Sequence, residues 1–426
     1  MIERLRPSDI PNAVSELCRE LEKRGHKAWI VGGCLRDLLR GRPAADWDLA
    51  TSARPEQVQA TFPRVFPTGI QHGTVTVRHR GQNYEVTTLR GEGAYSDGRR
   101  PDSVEFVESI EADLARRDFT INAMAYDPVT DSLADPFGGL VDLRAGTIRA
   151  VGRAEERFSE DGLRVLRAAR FAASLEFELA PDTESAIRPT LETFRKVSPE
   201  RVREEWLKAF KAQAPSRAFA IMERTGILAI TFPALAALPA ASWGWALHAL
   251  DAAPPEPMMR LAALLAPLWE RRELVSEWLL AYRFSNQERE RVLRMLSFAF
   301  MDTDHLSDAD VRRLARSIGR EALHEVTALH GVVTAARDGE HSGSAAAAGR
   351  LQERLRTLIT DETPLLAKEL ALGGRDLMQG LGLAPGPQIG RIIEHLMELV
   401  LEDPSANTKA CLLERARSYA AQQAGA

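Results

Sequence analysis

The chain has 426 residues, of which 45% are hydrophobic, and a formal net charge of -5. This length predicts two to four domains of about 100–200 residues each, and the composition excludes fibrous and disordered proteins. The acidic balance argues against a uniformly basic coat for nucleic acid, but it is compatible with a local basic groove.

The cysteines and the absence of long apolar segments predict a cytoplasmic protein with no membrane partner. Cys18, Cys34 and Cys411 are odd in number and far apart, so they form neither a disulfide framework nor a metal-binding spacing. The N-terminus lacks the apolar core of a signal peptide, and no run of about 18 uncharged apolar residues occurs.

The first 150 residues mix helix and strand signals. Residues 8–25 predict an amphipathic helix, because Ile10, Val14, Leu17 and Leu21 recur on one face. Glycine turns separate the β-rich runs that follow, and this order predicts an α/β or α+β domain. The predicted strands cover residues 28–31, 74–78, 84–89 and 104–107.

From about residue 153 the strand signal fades and helices of 10–20 residues are predicted. Residues 159–175 carry Leu163, Leu166 and Ala169 at helical spacing. The alanine run 345–348 fits either a helix or a linker. Breaks are predicted at residues 181, 199, 215, 252–257 and 342–349.

A glycine pair followed by an arginine ends the first predicted strand, in the segment VGGCLRD of residues 31–37. Glycines let the backbone approach a phosphate closely, and Arg36 could add a cationic fork. Ten residues later, Asp46 and Asp48 alternate, so on a strand both carboxylates would share a face and suit Mg²⁺. Glu85, on a later predicted strand, is the candidate third carboxylate of a two-metal site.

Each of these motifs alone has a simpler interpretation, because a lone Gly-Gly is usually a turn and a lone Asp-x-Asp usually a solvated loop. Joined at short range, they resemble the DNA polymerase β-like nucleotidyltransferase superfamily. Further blocks in order look like the bacterial CCA-adding enzyme and poly(A) polymerase family, the class II tRNA nucleotidyltransferases. These blocks are RRDFTINAMA (116–125), DPFGGLVDL (135–143), EDGLRVLRAARF (160–171), SPERV (198–202) with Glu205, and weaker matches at 373–390 and 402–407.

The resemblance implies an α+β fold with a polymerase β-like head followed by an all-α neck, body and tail. The implied boundaries are residues 1–150 for the nucleotidyltransferase head and 151–215 for the nucleotide-selecting neck. The helical body would cover residues 216–335, and a tRNA-binding helical tail would cover 336–426.

The same resemblance implies roles for particular residues. Gly33 and Arg36 would hold the triphosphate, while Asp46 and Asp48 would bind Mg²⁺ with the help of Glu85. Arg117 would contact the incoming nucleotide, with Asp118 and Asn122 near its sugar. The nucleotide pocket would further be lined by Asp161, Arg164, Arg167 and Arg170.

Asp161 and Arg164 are three residues apart and would share a face of one helix. One interpretation is an intrahelical ion pair on a solvated surface. The other is a base-reading pair, since cytosine and adenine each present an amino donor beside a ring acceptor, whereas uracil and guanine present the reverse. A carboxylate only accepts and a guanidinium only donates, so the pair would select CTP and ATP.

The implied reaction is attack of the tRNA 3′-hydroxyl on the α-phosphate of CTP or ATP, with release of pyrophosphate. Full CCA addition is favoured over A-only addition and poly(A) tailing. The glycine-rich segment 91–101 argues against a CC-only enzyme, because relatives of that type tend to have lost this loop. A catalytically silent RNA-binding relative is disfavoured by the intact Asp46, Asp48 and Glu85.

Two features of the second half stay open at this point. Arg312, Arg313, Arg316 and Arg320 recur at helical spacing and form either a solvated face or a basic track for tRNA. The run 261–267 has Ala and Pro where a His-Asp phosphohydrolase motif would stand, so no such activity is expected.

Overall fold

The computed structural model describes residues 5–44, 46–91, 106–360 and 362–424. The chain divides into two compact units, residues 1–237 and 238–426. Among the described residues, the strands all lie in the first unit and the second unit is helical. The predicted α+β class, a mixed-sheet head followed by helices, is confirmed. The finer division into head, neck, body and tail stays a prediction.

A seven-stranded mixed sheet organises the first unit, in the order β3-β4-β5-β2-β1-β6-β7, and β8 pairs with β9 separately. Strands β2 and β5 run parallel, and the other neighbours in the large sheet are antiparallel. The strands are β1 (Ala28–Val31), β2 (Asp48–Thr51), β3 (Val65–Gly69), β4 (Thr74–His79), β5 (Gln82–Thr88), β6 (Ala125–Asp127), β7 (Ser132–Ala134), β8 (Thr147–Ile148) and β9 (Glu178–Leu179).

Three of the predicted strands are confirmed as β1, β4 and β5, whereas the other strands were too short or too irregular to give a periodic signal. The predicted run 104–107 lies partly outside the described residues, and Phe106 forms an isolated bridge with Arg90.

The first helix begins later than predicted, at Asn12, because Pro11 occupies its N-cap position. Its predicted apolar residues Val14, Leu17 and Leu21 are buried, as is Ile10 just before it. The helices of this unit are α1 (Asn12–Lys23), α2 (Gly33–Leu39), α3 (Pro55–Thr61), α4 (Ile110–Ala115), α5 (Gly139–Ala145), α6 (Ala154–Glu160), α7 (Leu163–Leu175), α8 (Pro181–Ser185), α9 (Leu191–Phe194), α10 (Pro199–Ala209), α11 (Ser216–Thr225), α12 (Ile227–Thr231) and α13 (Pro233–Ala236).

The prediction of one continuous helix over residues 159–175 is wrong, because the chain leaves the helix at Asp161 and re-enters it at Leu163. A Cβ atom at Gly162 would lie 2.6 Å from the Phe194 Cα and 2.6 Å from the Thr193 carbonyl oxygen. Only glycine fits this approach of two backbone segments. Beyond the break, α7 packs against α10 and α11.

The second unit consists of helices in its described residues. The run Leu261–Leu265 is buried within it, whereas His248 is exposed. The expected break at 342–349 is wrong, because Ser342 caps a helix through a hydrogen bond from the Ala345 N–H. These helices are α14 (Ala240–Ala252), α15 (Pro257–Leu265), α16 (Arg272–Ala281), α17 (Asn286–Ser297), α18 (Asp308–Ile318), α19 (Leu323–Asp338), α20 (Gly343–Leu358), α21 (Gly374–Leu381), α22 (Pro387–Glu402) and α23 (Lys409–Ala424).

The arginines of α18 are engaged inside this unit rather than spread over a free basic face. Arg312 donates to the carbonyl oxygens of Leu401 and Glu402 at the end of α22. Arg313 and Arg316 form ion pairs with glutamates of α22. Arg320, two residues beyond α18, donates to the carbonyl oxygens of Thr360 and Thr363. These contacts hold α18 against α22, and the turn after α18 against the segment after α20.

Candidate active site

The predicted carboxylates come together on two neighbouring parallel strands and on the bend that precedes one of them. Asp48 is the first residue of β2 and lies in register with Glu85 of β5, so both side chains project from the same face of the sheet. Asp46 lies two residues before β2, in a bend rather than on the strand, and is exposed. All three residues line one cavity.

Burial and like charge act together on Asp48. Burial, together with repulsion from Glu85 and Asp46, raises the pKa of its carboxyl group to about 6, against an opposite effect of Arg117. A divalent cation would relieve this repulsion with hard oxygen ligands, so the carboxylates fit such a metal. Within the described ranges, no three His, Cys, Asp or Glu side chains are already grouped as a complete metal site.

The glycine pair stands where the sequence placed it, between β1 and α2. Gly32 has φ of 78°, and a Cβ there would lie 3.4 Å from Arg117 Nη1 and 3.5 Å from Asp48 Oδ2. A side chain at this position would be strained by the left-handed backbone, while its Cβ would make only ordinary van der Waals contact with both groups. Arg36 is buried and donates from Nη1 to Asn122 Oδ1 at 2.8 Å.

A buried carboxylate that the sequence analysis missed holds two neighbouring arginines. Asp113, with 1% of its side chain exposed, accepts from Arg117 Nη2 at 3.2 Å and from Arg116 Nη2 at 2.6 Å. These cations lower the pKa of Asp113 although burial raises it. The i,i+4 spacing of Asp113 and Arg117 was a sequence signal that could have found the pair.

The predicted sugar-side residues form a connected network with α7. Asp118 Oδ2 accepts from Arg167 Nη2 at 2.6 Å, and Asp118 Oδ1 accepts from Asn122 Nδ2 at 3.2 Å. Although burial opposes it, the charge of Arg167 and these hydrogen bonds lower the pKa of Asp118 to about 2. This network joins the RRDFTINAMA block to the arginine-bearing helix.

Arg170 is held by Glu205, another carboxylate to which no role was assigned from the sequence. Glu205 Oε2 accepts from Arg170 Nε at 2.5 Å, and Glu205 Oε1 accepts from Lys208 Nζ at 3.0 Å. The guanidinium carbon of Arg170 also lies 3.6 Å from the centre of the Phe171 ring, a cation–π contact. Glu205 lies on α10, so its approach to Arg170 depends on helix packing.

The helix break changes the surroundings of Asp161 and Arg164. They do not share a face of one helix: Asp161 pairs with Arg201 at 2.8 Å, and Arg164 pairs with Glu160 at 2.5 Å. Of the two interpretations of this pair, the intrahelical ion pair is therefore wrong. Both residues still line the same cavity as the carboxylates.

A single cavity of about 840 Å³ brings the predicted site residues together. All twelve line it: Gly33, Arg36, Asp46, Asp48, Glu85, Arg117, Asp118, Asn122, Asp161, Arg164, Arg167 and Arg170. The lining combines carboxylates with guanidinium groups, which suits a metal-bound polyphosphate. The lining residues that the sequence analysis missed include Thr74, Thr87, Arg90, Asp113, Arg116, Phe171 and Lys208. Most of the segment 91–101 lies outside the described residues.

Comparison with known families places these motifs. Residues 28–149 match the poly(A) polymerase head domain. Residues 176–238 match the model described as "Probable RNA and SrmB-binding site of polymerase A", and residues 260–416 match tRNA nucleotidyltransferase domain 2. Together these models span well over half of the chain.

Full-length relatives decide the family. A CCA-adding enzyme of Lactobacillus delbrueckii subsp. bulgaricus is 36% identical over 96% of this chain and 98% of its own length. The chain belongs to the CCA-adding enzyme family. The family member of Geobacillus stearothermophilus is 37% identical over 94% of this chain and 96% of its own. The chain is therefore a nucleotidyltransferase of a family whose chemistry depends on divalent metal.

Solved structures agree with this assignment. The Bacillus stearothermophilus CCA-adding enzyme in complex with CTP has a TM-score of 0.77 and 32% identity, covering 96% of this chain and 98% of that one. The Thermotoga maritima CCA-adding enzyme complexed with tRNA has a TM-score of 0.69 at 21% identity, so it supports the fold. No helix of the described residues is long and apolar enough to cross a membrane.

Proposed function

We propose that this chain adds CCA to the 3′ end of tRNA, taking CTP and ATP as substrates and releasing pyrophosphate. The observation that carries this proposal is the convergence of twelve motif residues on one cavity in a chain of this family. The relative solved with CTP supports the choice of a nucleoside triphosphate as substrate.

We propose Mg²⁺ as the metal, held by Asp46 and Asp48 with Glu85 beside them. These ligands are hard oxygens, which Mg²⁺ prefers. When bound, the metal would lower the pKa of the attacking 3′-hydroxyl and stabilise charge on the leaving phosphates. The raised pKa of Asp48 reflects burial and negative charge that such a cation would offset.

The arginines would bind and orient the nucleotide. Gly33 and Arg36 would hold the triphosphate, with Arg117 as a further contact to the nucleotide, and Asp118 and Asn122 would lie near the sugar. Their fixed hydrogen bonds mean that few side chains need to be ordered when the nucleotide binds. The remaining lining residues assigned to the nucleotide pocket are Asp161, Arg164, Arg167 and Arg170.

Asp161 would supply the acceptor and Arg164 a donor for the base edge that cytosine and adenine share. The two side chains are held by different partners, Asp161 by Arg201 and Arg164 by Glu160. Loss of either side chain should reduce the discrimination between CTP and UTP more than it reduces the rate of nucleotidyl transfer.

The decisive experiment offers purified protein three tRNAs, ending before C74, after C74 and after C75, with CTP and ATP separately. Incorporation of C, C and A in turn is the expected result. Addition of A alone would identify an A-adding enzyme, continued A incorporation a poly(A) polymerase, and no incorporation a silent RNA-binding relative.

We also propose a cytoplasmic location, which agrees with three unpaired cysteines.

A further inference from the structure

The side chain of Asp161 is fixed from two directions. Arg201 of α10 donates from Nη2 to Asp161 Oδ2 at 2.8 Å. The backbone N–H of Leu163 donates to Asp161 Oδ1 at 3.0 Å. Because both carboxylate oxygens are engaged, the orientation of Asp161 depends on a residue 40 positions later in the chain.

Arg164 is held by a different set of partners. It donates to Glu160 Oε2, to the carbonyl oxygen of Arg157 and to the carbonyl oxygen of Arg116. The Arg164 backbone N–H also donates to the Asp161 carbonyl oxygen at 3.0 Å, so the two residues are linked through the main chain. Their side chains nevertheless have separate hydrogen-bond partners, and Arg201 holds only the Asp161 carboxylate.

Arg201 has little else to hold it. Its side chain is 26% exposed, and its Nη1 atom is buried without a hydrogen-bond partner among the described residues. A buried guanidinium nitrogen with no partner is costly, so the contact with Asp161 is the main compensation for placing this side chain here. Asp161 lines the cavity, whereas Arg201 is not one of its lining residues.

We propose that Arg201 is a positioning residue that determines nucleotide selection through Asp161. This inference rests on the proposed function, because it deepens the role given to Asp161 there. Arg201 Nη2 binds one carboxylate oxygen of Asp161 and the Leu163 N–H binds the other, so the two contacts together fix the rotation of this carboxylate. A lysine ammonium on its flexible stem would hold the carboxylate less firmly than the planar guanidinium does. Without that restraint, Asp161 could turn away from the amino group of cytosine or adenine and tolerate uracil or guanine.

The test measures kcat and KM for single additions of CTP, ATP, UTP and GTP to tRNA in wild type, Arg201→Met and Arg201→Lys. Arg201→Met should lower discrimination against UTP and GTP by about 10- to 100-fold, as expected for a hydrogen bond to a charged group. The KM for CTP and ATP should rise with a smaller change in kcat. Arg201→Lys should recover part of the KM but little of the discrimination.

The matched control is Arg195→Met, which removes an exposed arginine that pairs with Glu192. It should leave kcat, KM and discrimination unchanged. An equal loss for all four nucleotides in Arg201→Met, with discrimination retained, would mean a structural role only and would overturn the inference. Thermal unfolding of each variant separates this outcome from loss of fold.

A double-mutant cycle keeps the inference testable even when Arg201→Met is unstable. If Arg201 acts through Asp161, adding Arg201→Lys to Asp161→Asn should change discrimination little further. Additive losses would overturn the inference. Failure of the proposed function would look different, because the wild-type protein itself would then add no CCA. If only this inference fails, the wild-type protein and Asp161→Asn still give measurable nucleotide selectivity, and only the Arg201 variants differ from the expected result.

Discussion

At the residue scale, the cavity contains one carboxylate whose charged form is disfavoured by its surroundings and another whose charged form is stabilised. Burial, reinforced by Glu85, raises the pKa of Asp48, whereas Arg167 and neighbouring hydrogen bonds lower the pKa of Asp118. The first pattern is typical of a functional group held at a cost in stability, and the second of a structural ion pair. Substitutions at these two positions should therefore have opposite effects on unfolding.

Asp48→Asn should reduce nucleotide addition by at least about 10³-fold. Without added metal, its free energy of unfolding should stay level or rise, by up to about 3 kcal/mol, because the neutral amide removes a charge that burial disfavours. Addition assays and thermal unfolding in EDTA measure both effects. Asp46→Asn is the comparison, since its exposed side chain should give loss of activity without a gain in stability. A strongly destabilised Asp48→Asn protein would contradict this reading of the carboxylate.

Asp118→Asn should destabilise the first unit by about 1–3 kcal/mol, less than for a fully buried pair because 31% of the Arg167 side chain is exposed. The pKa of Asp118 is depressed to about 2 in the folded state, so the ion pair stabilises fully above its ordinary value of 3.8. That contribution is lost as the pH falls towards 2.

Urea unfolding from pH 6 to pH 2.5 measures this effect, and the gap between wild type and Asp118→Asn should narrow as the pH falls. Asp182→Asn removes a 63% exposed carboxylate that also faces an arginine and should be nearly neutral throughout. A gap that stays constant down to pH 2.5 would rule out the ion pair as its source.

At the element scale, the break between α6 and α7 decides what the cavity can present. Helical spacing correctly placed the buried face of Leu163, Leu166 and Ala169. It could not reveal the break, because the cause is the backbone of residues 193–194, which is distant in sequence. The partner of Arg170 was missed for a related reason, since Glu205 reaches Arg170 through packing of α10 on α7. The partner of Arg117, Asp113, is four residues away and was within reach of the sequence. The motif residues themselves were predictable because each lies in a short contiguous block.

Gly162→Ala should destabilise the first unit by about 3 kcal/mol or more, because its Cβ would meet backbone atoms that cannot move like a side chain. Thermal unfolding and single-nucleotide addition measure the effect, and both should be impaired. Gly244→Ala is the control, because nothing lies within 4 Å of a Cβ on that helix, and it should be neutral or stabilising by about 0.5–1 kcal/mol. Equal melting temperatures of the Gly162→Ala and Gly244→Ala variants would count against a tight contact at residue 162.

At the scale of the whole molecule, an acidic chain concentrates positive side chains around one cavity. The formal net charge of -5 did not predict this cluster, because the local grouping of charged side chains is independent of the net charge of the chain. The arginines of α18, which sequence spacing offered as a second basic track, are tied to α22 glutamates and carbonyls. We therefore expect tRNA contacts to depend on other surfaces of the second unit.

Binding of tRNA should weaken steeply with salt, because shape recognition of every tRNA relies on phosphate contacts. A plot of log Kd against log salt concentration, from filter binding or fluorescence, should have a slope of several units. Arg313→Gln should leave that slope unchanged, because its guanidinium is already paired with Glu398 and Glu402. A flat plot for the wild-type protein would argue against recognition of the tRNA phosphate backbone. A reduced slope for Arg313→Gln would show that α18 contributes to tRNA binding.

Three arginines around the cavity each form an ion pair with a carboxylate of the same chain: Arg117 with Asp113, Arg167 with Asp118, and Arg170 with Glu205. Changing one member of such a pair disturbs the other, because a buried charge loses one of its partners. Inactivating changes should therefore extend to Glu205, which is not among the cavity-lining residues, and survivors of random mutagenesis should carry compensating replacements in both members of a pair.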